Sequence, residues 1–223
     1  MTPTLYLLDI FGTFAFAVSG AFRAVKYELD LLGLAALAVV TGIGGGVVRD
    51  LLLGLAPPSA LVDQTYFLAC VAGAALVYVL APNIARRWDY VMAADALGLA
   101  VFTAIGAAKA ELHGAVPVTV MLLGMITACG GGIARDLLVM EIPAVLKSDF
   151  YATAALAGSG AYVLLGWMGA AGAPRLCAAM AFTLCLRVIA MKFGMRLPRV
   201  SQLPASPSRL TRERKASARR KRD

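Results

Sequence analysis

The sequence predicts an all-α integral membrane protein with seven transmembrane helices, in an inverted three-plus-three repeat followed by one further C-terminal helix. Two observations lead to this fold class. The chain is 60% hydrophobic and only 15% charged, with a mean hydropathy of +0.78, whereas about a quarter of the residues in soluble domains are charged. Nearly the same motif also occurs twice, as TGIGGGVVRDLL at 41–52 and TACGGGIARDLL at 127–138. The composition predicts the membrane, and the doubled motif predicts the repeat.

Seven windows of roughly 20 mostly apolar residues are long enough to cross a bilayer as helices. They cover residues 5–25, 31–54, 65–81, 91–110, 117–140, 151–168 and 174–195. The first window holds Asp9 and lacks a basic leader, so we interpret it as a retained helix rather than a cleaved signal peptide. Asp63 and Asp149 precede the third and sixth apolar windows, where a side-chain carboxylate suits a helix N-cap.

The sequence offers no basis for an enzyme, a cofactor or a metal centre. It contains no Walker loop, catalytic triad or HExxH motif. Cys70, Cys129, Cys177 and Cys185 all fall inside predicted spans without CxxC spacing, which favours packing residues over disulfides or a zinc site. The single histidine, His113, has no partner at metal-ligand spacing.

The net charge comes entirely from the C-terminal tail. Residues 1–195 contain 11 Lys or Arg and 11 Asp or Glu, whereas residues 196–223 contain 10 basic and 2 acidic residues. With few apolar residues, the tail is predicted to be disordered. A basic segment of a membrane protein marks the cytoplasmic side, so we expect contact with membrane lipids rather than nucleic acid. Seven spans and a cytoplasmic C-terminus put the N-terminus outside.

The repeat has a constant offset of 86 residues without a gap. It aligns Asp9 with Asp95 and Arg23 with Lys109, and continues through both glycine motifs to Asp63 and Asp149. Each copy holds three spans, so the second copy must cross the membrane in the opposite sense. The predicted units are repeat one (1–86), the inverted repeat two (87–172), a seventh helix (173–195) and the basic cytoplasmic tail (196–223).

The two glycine triplets are the candidate permeation site. Three adjacent glycines weaken a helix and leave backbone carbonyls accessible to an ion or to water. A row of carbonyls that faces water is one way to build a cation path. Glycines also serve close helix packing, and Gly42 with Gly46 forms a GxxxG pair, so packing remains the alternative interpretation. The predicted pore or kink residues are Gly44, Gly45, Gly46, Gly130, Gly131 and Gly132.

Ionisable residues inside a membrane are costly and are therefore functional candidates. The predicted intramembrane charges are Asp9, Arg49, Asp50, Asp95, Arg135, Asp136 and Arg187. Equal depth in neighbouring spans pairs Asp9 with Arg49 and Asp95 with Arg135, with crossed pairs between the repeats left open. Arg49 and Asp50 are adjacent, so we expect them to point apart. Arg187 lies deep in the seventh span or reaches towards the cytoplasm.

The doubled GGGxxRD motif resembles the bacterial branch of the TRIC family, the trimeric intracellular cation channels, over about residues 5–196. The resemblance implies seven helices in an inverted repeat, a homotrimer, and a pore in each protomer lined by spans two and five, kinked at their glycines. It also implies conduction of monovalent cations, chiefly potassium but also sodium, and the compact chain fits a bacterial cell membrane. Ala128 and Cys129 replace Gly42 and Ile43 of the first copy, so span five is expected to bend less.

Two other functions stay open at the level of sequence. Inverted repeats with interrupted helices are also typical of secondary transporters, here for a small solute such as glycine. A membrane scaffold without transport activity would have little use for repeated intramembrane charges. The basic tail is predicted to bind the membrane surface and to be dispensable for transport.

Overall fold

The computed structural model describes residues 2–84, 88–147 and 150–195. These residues form helices and connecting turns, without a β-strand among them. The helices are α1 (Pro3–Lys26), α2 (Leu31–Leu52), α3 (Ser59–Val62), α4 (Gln64–Ile84), α5 (Trp88–Leu112), α6 (Pro117–Leu138), α7 (Ala144–Lys147), α8 (Ala152–Trp167) and α9 (Gly172–Phe193). The predicted tail, 196–223, and the predicted cap Asp149 lie outside the described residues.

The long helices follow the predicted spans closely. Four whole helices, α1, α2, α6 and α9, and residues Val91–Leu112 of α5 are long and apolar enough to cross a membrane. The apolar stretches of α4 and α8 are shorter, at Gln64–Leu80 and Ala152–Trp167. The chain is thus an all-helical membrane protein. The sequence did not predict α3 and α7, because four residues are too few to show a helical period.

Local signals fix several helix ends. Asp30 caps the N-terminus of α2, since its side chain accepts a hydrogen bond from the Gly33 amide at 2.7 Å. Pro117 is the first residue of α6, a position where its missing N–H costs nothing. The predicted cap Asp63 is confirmed, since its Oδ1 accepts from the Thr65 amide at 2.8 Å. The Tyr6 hydroxyl donates to the same carboxylate at 2.6 Å and joins the start of α1 to the start of α4.

The core is built around α1 and α5. Helix α1 packs against α2, α4 and α5, while α5 packs against α6, α8 and α9. Short connections make consecutive long helices antiparallel, so α1 begins at the same end of the bundle where α2 and α5 end. We call this end the first face, and the end where α1 stops and α9 finishes the second face. Phe16 and Phe102, at equivalent positions of the repeat, meet with ring centroids 5.3 Å apart.

Candidate functional site: two charge clusters beside a glycine crossing

Helices α2 and α6 cross at their glycine triplets. A Cβ added to Gly45 would overlap the Thr127 carbonyl oxygen, and a Cβ added to Gly131 would overlap the Thr41 carbonyl oxygen. A Cβ at Gly130 would lie 3.1 Å from the Cα of Gly45. Because no side chain fits between the two backbones, the middle glycines are required for close packing. Both helices continue through their triplets without a break.

The contacts at this crossing bear on the two interpretations of the triplets, a pore lining and close helix packing. The structure has backbone in contact there, so the packing interpretation is right for Gly45 and Gly131. A GxxxG-type approach of two helices has this geometry, because small residues allow backbones to meet.

The third glycine of each triplet faces charged side chains instead. The nearest atom to a Cβ added at Gly46 is Nη2 of Arg49, at 3.6 Å. At Gly132 the corresponding atoms are the Tyr151 hydroxyl at 3.0 Å and Nη2 of Arg135 at 3.7 Å. Each triplet therefore packs through its middle residue and opens towards a charge cluster through its last residue.

The first charge cluster comprises Asp9, Arg49, Asp50, Tyr66 and Lys109, and it lies towards the first face. Arg49 Nη2 lies 3.5 Å from Asp9 Oδ2, as the repeat predicted. The Tyr66 hydroxyl donates to the same Asp9 oxygen at 3.0 Å. Lys109 Nζ lies 2.8 Å from Asp50 Oδ1. All five residues are buried in the protomer.

The second charge cluster comprises Ser19, Arg23, Asp95, Arg135, Asp136 and Tyr151, and it lies towards the second face. Arg135 Nη1 lies 2.7 Å from Asp95 Oδ1, which confirms the predicted pair. Arg23 Nη2 lies 3.1 Å from Asp136 Oδ1. Ser19 accepts a hydrogen bond from Arg135 at 2.6 Å. The first cluster contains no residue equivalent to Ser19.

The adjacent Arg and Asp of each motif do pair, so the expectation that they point apart was wrong. Arg49 Nε lies 2.9 Å from Asp50 Oδ1, and Arg135 Nε lies 2.9 Å from Asp136 Oδ1. The flexible stem of arginine can turn its guanidinium back towards the next residue. Burial supplies the reason, since a charge removed from water is stable only when it is paired.

Crossed pairs join the two halves of the chain. Arg23 of the first repeat contacts Asp136 of the second, and Lys109 of the second contacts Asp50 of the first. The repeat already aligned Arg23 with Lys109. A shared positive charge near the end of two equivalent spans could therefore have identified both residues as members of the site. Sequence reasoning left both residues out of the site, together with Tyr66 and Tyr151.

Each motif aspartate also anchors the segment that follows its helix. Asp50 Oδ2 accepts from the Ser59 amide at 2.9 Å, and Asp136 Oδ2 accepts from the Ala144 amide at 2.8 Å. Ser59 begins α3 and Ala144 begins α7. Each of these carboxylates therefore pairs with basic side chains through one oxygen and accepts from the backbone amide of a short helix through the other.

Arg187 of α9 joins the second cluster from the side. Its guanidinium carbon lies 4.8 Å from the centroid of the Tyr151 ring, and the residue is only 7% exposed. Arg187 is thus buried within the protein, and its depth in the membrane stays a prediction. Its contact with an aromatic face is a cation–π interaction, which is stronger when water is excluded.

A surface network extends the second cluster to the second face. The carboxylate of Glu141 accepts a hydrogen bond from the Tyr27 hydroxyl and pairs with Lys26 at 3.1 Å and Arg23 at 3.3 Å. These donors, above all the Tyr27 hydroxyl, lower the pKa of Glu141 from 4.5 to about 2. At the equivalent positions of the repeat, Glu141 and Lys26 are replaced by Leu55 and Leu112, so the first cluster has no such extension.

The cysteines and histidine have ordinary environments. All four cysteines are free thiols, as expected; Cys70 and Cys129 are buried, whereas Cys177 and Cys185 are exposed on α9. His113 Nδ1 lies 2.7 Å from the Lys109 carbonyl oxygen. Among the described residues, no group of His, Cys, Asp and Glu side chains could hold a metal ion.

The chain resembles a known protein family and several related membrane proteins. A family model described as "Glycine transporter" matches residues 6–82 and again 92–167, two segments that begin 86 positions apart. A UPF0126 membrane protein of Vibrio cholerae is 39% identical over 198 residues, covering 88% of this chain and 83% of that protein. The UPF0126 inner membrane protein YadS of Escherichia coli is 37% identical over 199 residues, covering 87% and 95%.

Solved structures of related proteins have the same fold as this chain. The TRIC trimeric intracellular cation channel orthologue from Rhodobacter sphaeroides is 38% identical, with a TM-score of 0.83 over 87% of this chain and 100% of that one. A more distant structure, described as a TRIC counter-ion channel in calcium release, is 16% identical with a TM-score of 0.59, and shares the fold. With the doubled motif, the crossed charge clusters and these relatives together, the chain belongs to the bacterial branch of the TRIC family of membrane proteins.

Proposed function

We propose that this protein is a monovalent cation channel, conducting chiefly potassium, with one permeation path in each protomer of a homotrimer. One observation carries the proposal. A chain that is 38% identical and superposes with a TM-score of 0.83 is described as a trimeric intracellular cation channel. The likeness extends over 87% of this chain and 100% of that one.

We propose the inverted three-plus-three arrangement, with seven spans, as the basis of the path. The family model that matches twice with a start offset of 86 residues supports it. So do contacts that recur at the same offset: Gly45 against Thr127 and Gly131 against Thr41. Paths of transport proteins with inverted repeats commonly run near the midplane between the two halves.

In this proposal the path follows the α2–α6 crossing and passes the last glycine of each triplet. Gly46 and Gly132 have the charge clusters in front of them, which makes them better candidates for pore lining than Gly45 and Gly131. Buried carboxylates of Asp9, Asp50 and Asp95 would attract a cation, while the paired arginines and Lys109 would oppose it. Ion passage then requires some of these pairs to separate, and a bend at the glycines would help them to do so.

The alternative is secondary transport of a small solute such as glycine. Its support is the description of the family model. That description conflicts with the solved structures of similar chains, whose own descriptions name cation channels. We favour the channel, because a solved structure at 38% identity is the more specific likeness.

The location follows from the relatives and from the sequence. Related proteins are described as membrane proteins, one of them an inner membrane protein, and we propose the bacterial cell membrane for this chain. We further propose an outside N-terminus, a cytoplasmic C-terminus, and a basic tail at 196–223 that binds anionic lipid.

Truncation after Arg196 is then expected to leave the current unchanged, whereas a voltage-dependent gain of current would indicate that the tail blocks the pore.

Purified protein in liposomes tests the proposal. A potassium gradient should produce flux, and a planar bilayer should show stepwise currents whose reversal potential follows potassium rather than chloride. Protein-free liposomes control for leak, and radiolabelled glycine in the same vesicles tests the alternative. Saturable glycine counterflow without current steps would replace the channel by a carrier.

A further inference from the structure

We infer that one buried water molecule binds in the first charge cluster, between the Arg49 guanidinium, the Asp9 carboxylate and the Thr13 hydroxyl. Gly46 leaves the space for it. The binding site stands on geometry alone, whereas its part in ion passage rests on the proposed channel function.

A small cavity of about 10 Å³ lies at this position, which is enough for a single water molecule. Its polar lining supplies several hydrogen-bonding partners, and a bound water typically uses two to four. The residues that matter are Asp9, Thr13, Gly46, Arg49, Asp50 and Tyr66.

Arg49 supplies an unsatisfied donor. Its Nε and Nη2 are used by Asp50 and Asp9, but Nη1 is buried and has no hydrogen-bond partner among the described residues. The whole residue is 1% exposed. A buried N–H without an acceptor is strongly unfavourable, so a water in the adjoining cavity is the simplest acceptor.

The local charge favours a neutral occupant. Asp9 and Asp50 balance Arg49 and Lys109 in ion pairs of 2.8–3.5 Å. A cation here would meet the unpaired edge of Arg49, and an anion would meet two carboxylates. Water can accept from Arg49 Nη1 and donate to the Asp9 carboxylate or to Thr13 Oγ1, whose own proton goes to the Asp9 carbonyl oxygen at 2.8 Å.

The contacts of the glycine triplet give a second, independent argument. Packing forbids a side chain at Gly45, but at Gly46 the nearest atom to an added Cβ is 3.6 Å away, an ordinary contact. Steric packing within the protein therefore does not require glycine at 46. A bound water, which a methyl group at this position would displace, is a reason for the glycine.

In a conducting protomer this water gives a passing cation an oxygen ligand beside Gly46. Filling the space with a methyl group should then reduce flux even though the fold is kept. At the equivalent place in the second cluster, the Tyr151 hydroxyl lies 3.0 Å from where a Cβ on Gly132 would be. That side chain occupies the space beside Gly132, so the water that we assign here is the one beside Gly46.

A crystal structure of the wild-type protein at better than about 2 Å resolution tests the site, grown with bromide in place of chloride. We expect density for water within hydrogen-bond distance of Arg49 Nη1, without anomalous signal, and the loss of that density in Gly46→Ala. A dry cavity, or an anomalous peak that identifies a halide, would overturn the inference. This outcome does not depend on transport activity.

Potassium flux in liposomes tests the role of the water. Gly46→Ala should lower flux roughly fivefold, the value of about one net hydrogen bond. The control is Gly160→Ala on α8, where the added Cβ meets only the flexible end of Met121 at 3.2 Å, and it should keep full flux. Equal flux in both variants would remove the water from the path. Absence of flux in the wild type would instead refute the proposed channel.

Discussion

The two charge clusters share a motif and a set of ion pairs, but they differ at their tyrosines. In the first cluster Tyr66 donates its hydroxyl to Asp9 at 3.0 Å. In the second, the Tyr151 hydroxyl is buried and lacks a hydrogen-bond partner among the described residues. The first cluster keeps a small polar cavity beside Gly46, whereas the Tyr151 side chain lies against Gly132.

The clusters also differ in how they meet the surface. Glu141, Lys26 and Tyr27 tie the second cluster to the second face. The first cluster ends at the Lys109–Asp50 pair, with Ser59 Oγ 3.0 Å from Lys109 Nζ. A repeated motif therefore fixes the central pairs, while residues outside the motif decide which further contacts each cluster makes.

The largest expected effect comes from breaking the central pairs. Replacing one partner of a buried pair leaves an uncompensated charge, at a cost of about 3–5 kcal/mol. Double-mutant cycles on Asp9 with Arg49 and on Asp95 with Arg135 should both give non-additive losses in the free energy of unfolding. We expect the larger coupling for the second pair, since its atoms are 2.7 Å apart against 3.5 Å.

Unfolding of the purified variants in mixed detergent micelles measures these couplings. Asn and Met replace Asp and Arg, because they keep much of the side-chain volume. Additive losses in either cycle would show that the pair does not act as a unit.

The glycine crossing should respond equally in both halves. Gly45→Ala and Gly131→Ala each force a methyl group against a backbone carbonyl, and we expect each to lower the free energy of unfolding by about 3 kcal/mol, at the upper end of ordinary overpacking. Gly160→Ala on α8 is the matched control and should change it by less than about 1 kcal/mol. If only one of the two middle glycines were sensitive, the crossing would not be symmetric.

Removing the tyrosine hydroxyls should change the free energy of unfolding differently in the two clusters. Tyr66→Phe removes a hydrogen bond to a buried carboxylate and should cost about 1.5–3 kcal/mol. Tyr151→Phe removes a buried hydroxyl that has no hydrogen-bond partner among the described residues, so the same measurement should stay unchanged or rise. A large loss for Tyr151→Phe would reveal a partner for its hydroxyl and would make the clusters more alike.

The smallest effect concerns the surface extension of the second cluster. The pKa of Glu141 is depressed from 4.5 to about 2, so its contribution to stability is complete above pH 4.5 and is lost as the pH falls towards 2. The group is partly exposed, and we expect the contribution to be at most about 1 kcal/mol.

The variant Glu141→Gln should therefore unfold with a weaker acid dependence than the wild type between those two pH values. Glu28→Gln, at an exposed glutamate near the same face, is the control and should keep the wild-type profile. An unchanged profile in Glu141→Gln would show that the surface network does not stabilise the fold.

The sequence by itself determined the membrane class, the repeat and the pairing of Asp9 with Arg49 and of Asp95 with Arg135. These follow from hydropathy and from a constant offset of 86 residues, both of which are local or periodic properties of the chain. Only the tertiary structure decided that Gly45 and Gly131 pack backbone on backbone, that Arg49 turns back to Asp50, and that Lys109 and Arg23 cross between the halves. Those contacts depend on which helices meet and at what distance, and a buried charge selects its partner from whatever the assembled bundle brings within reach.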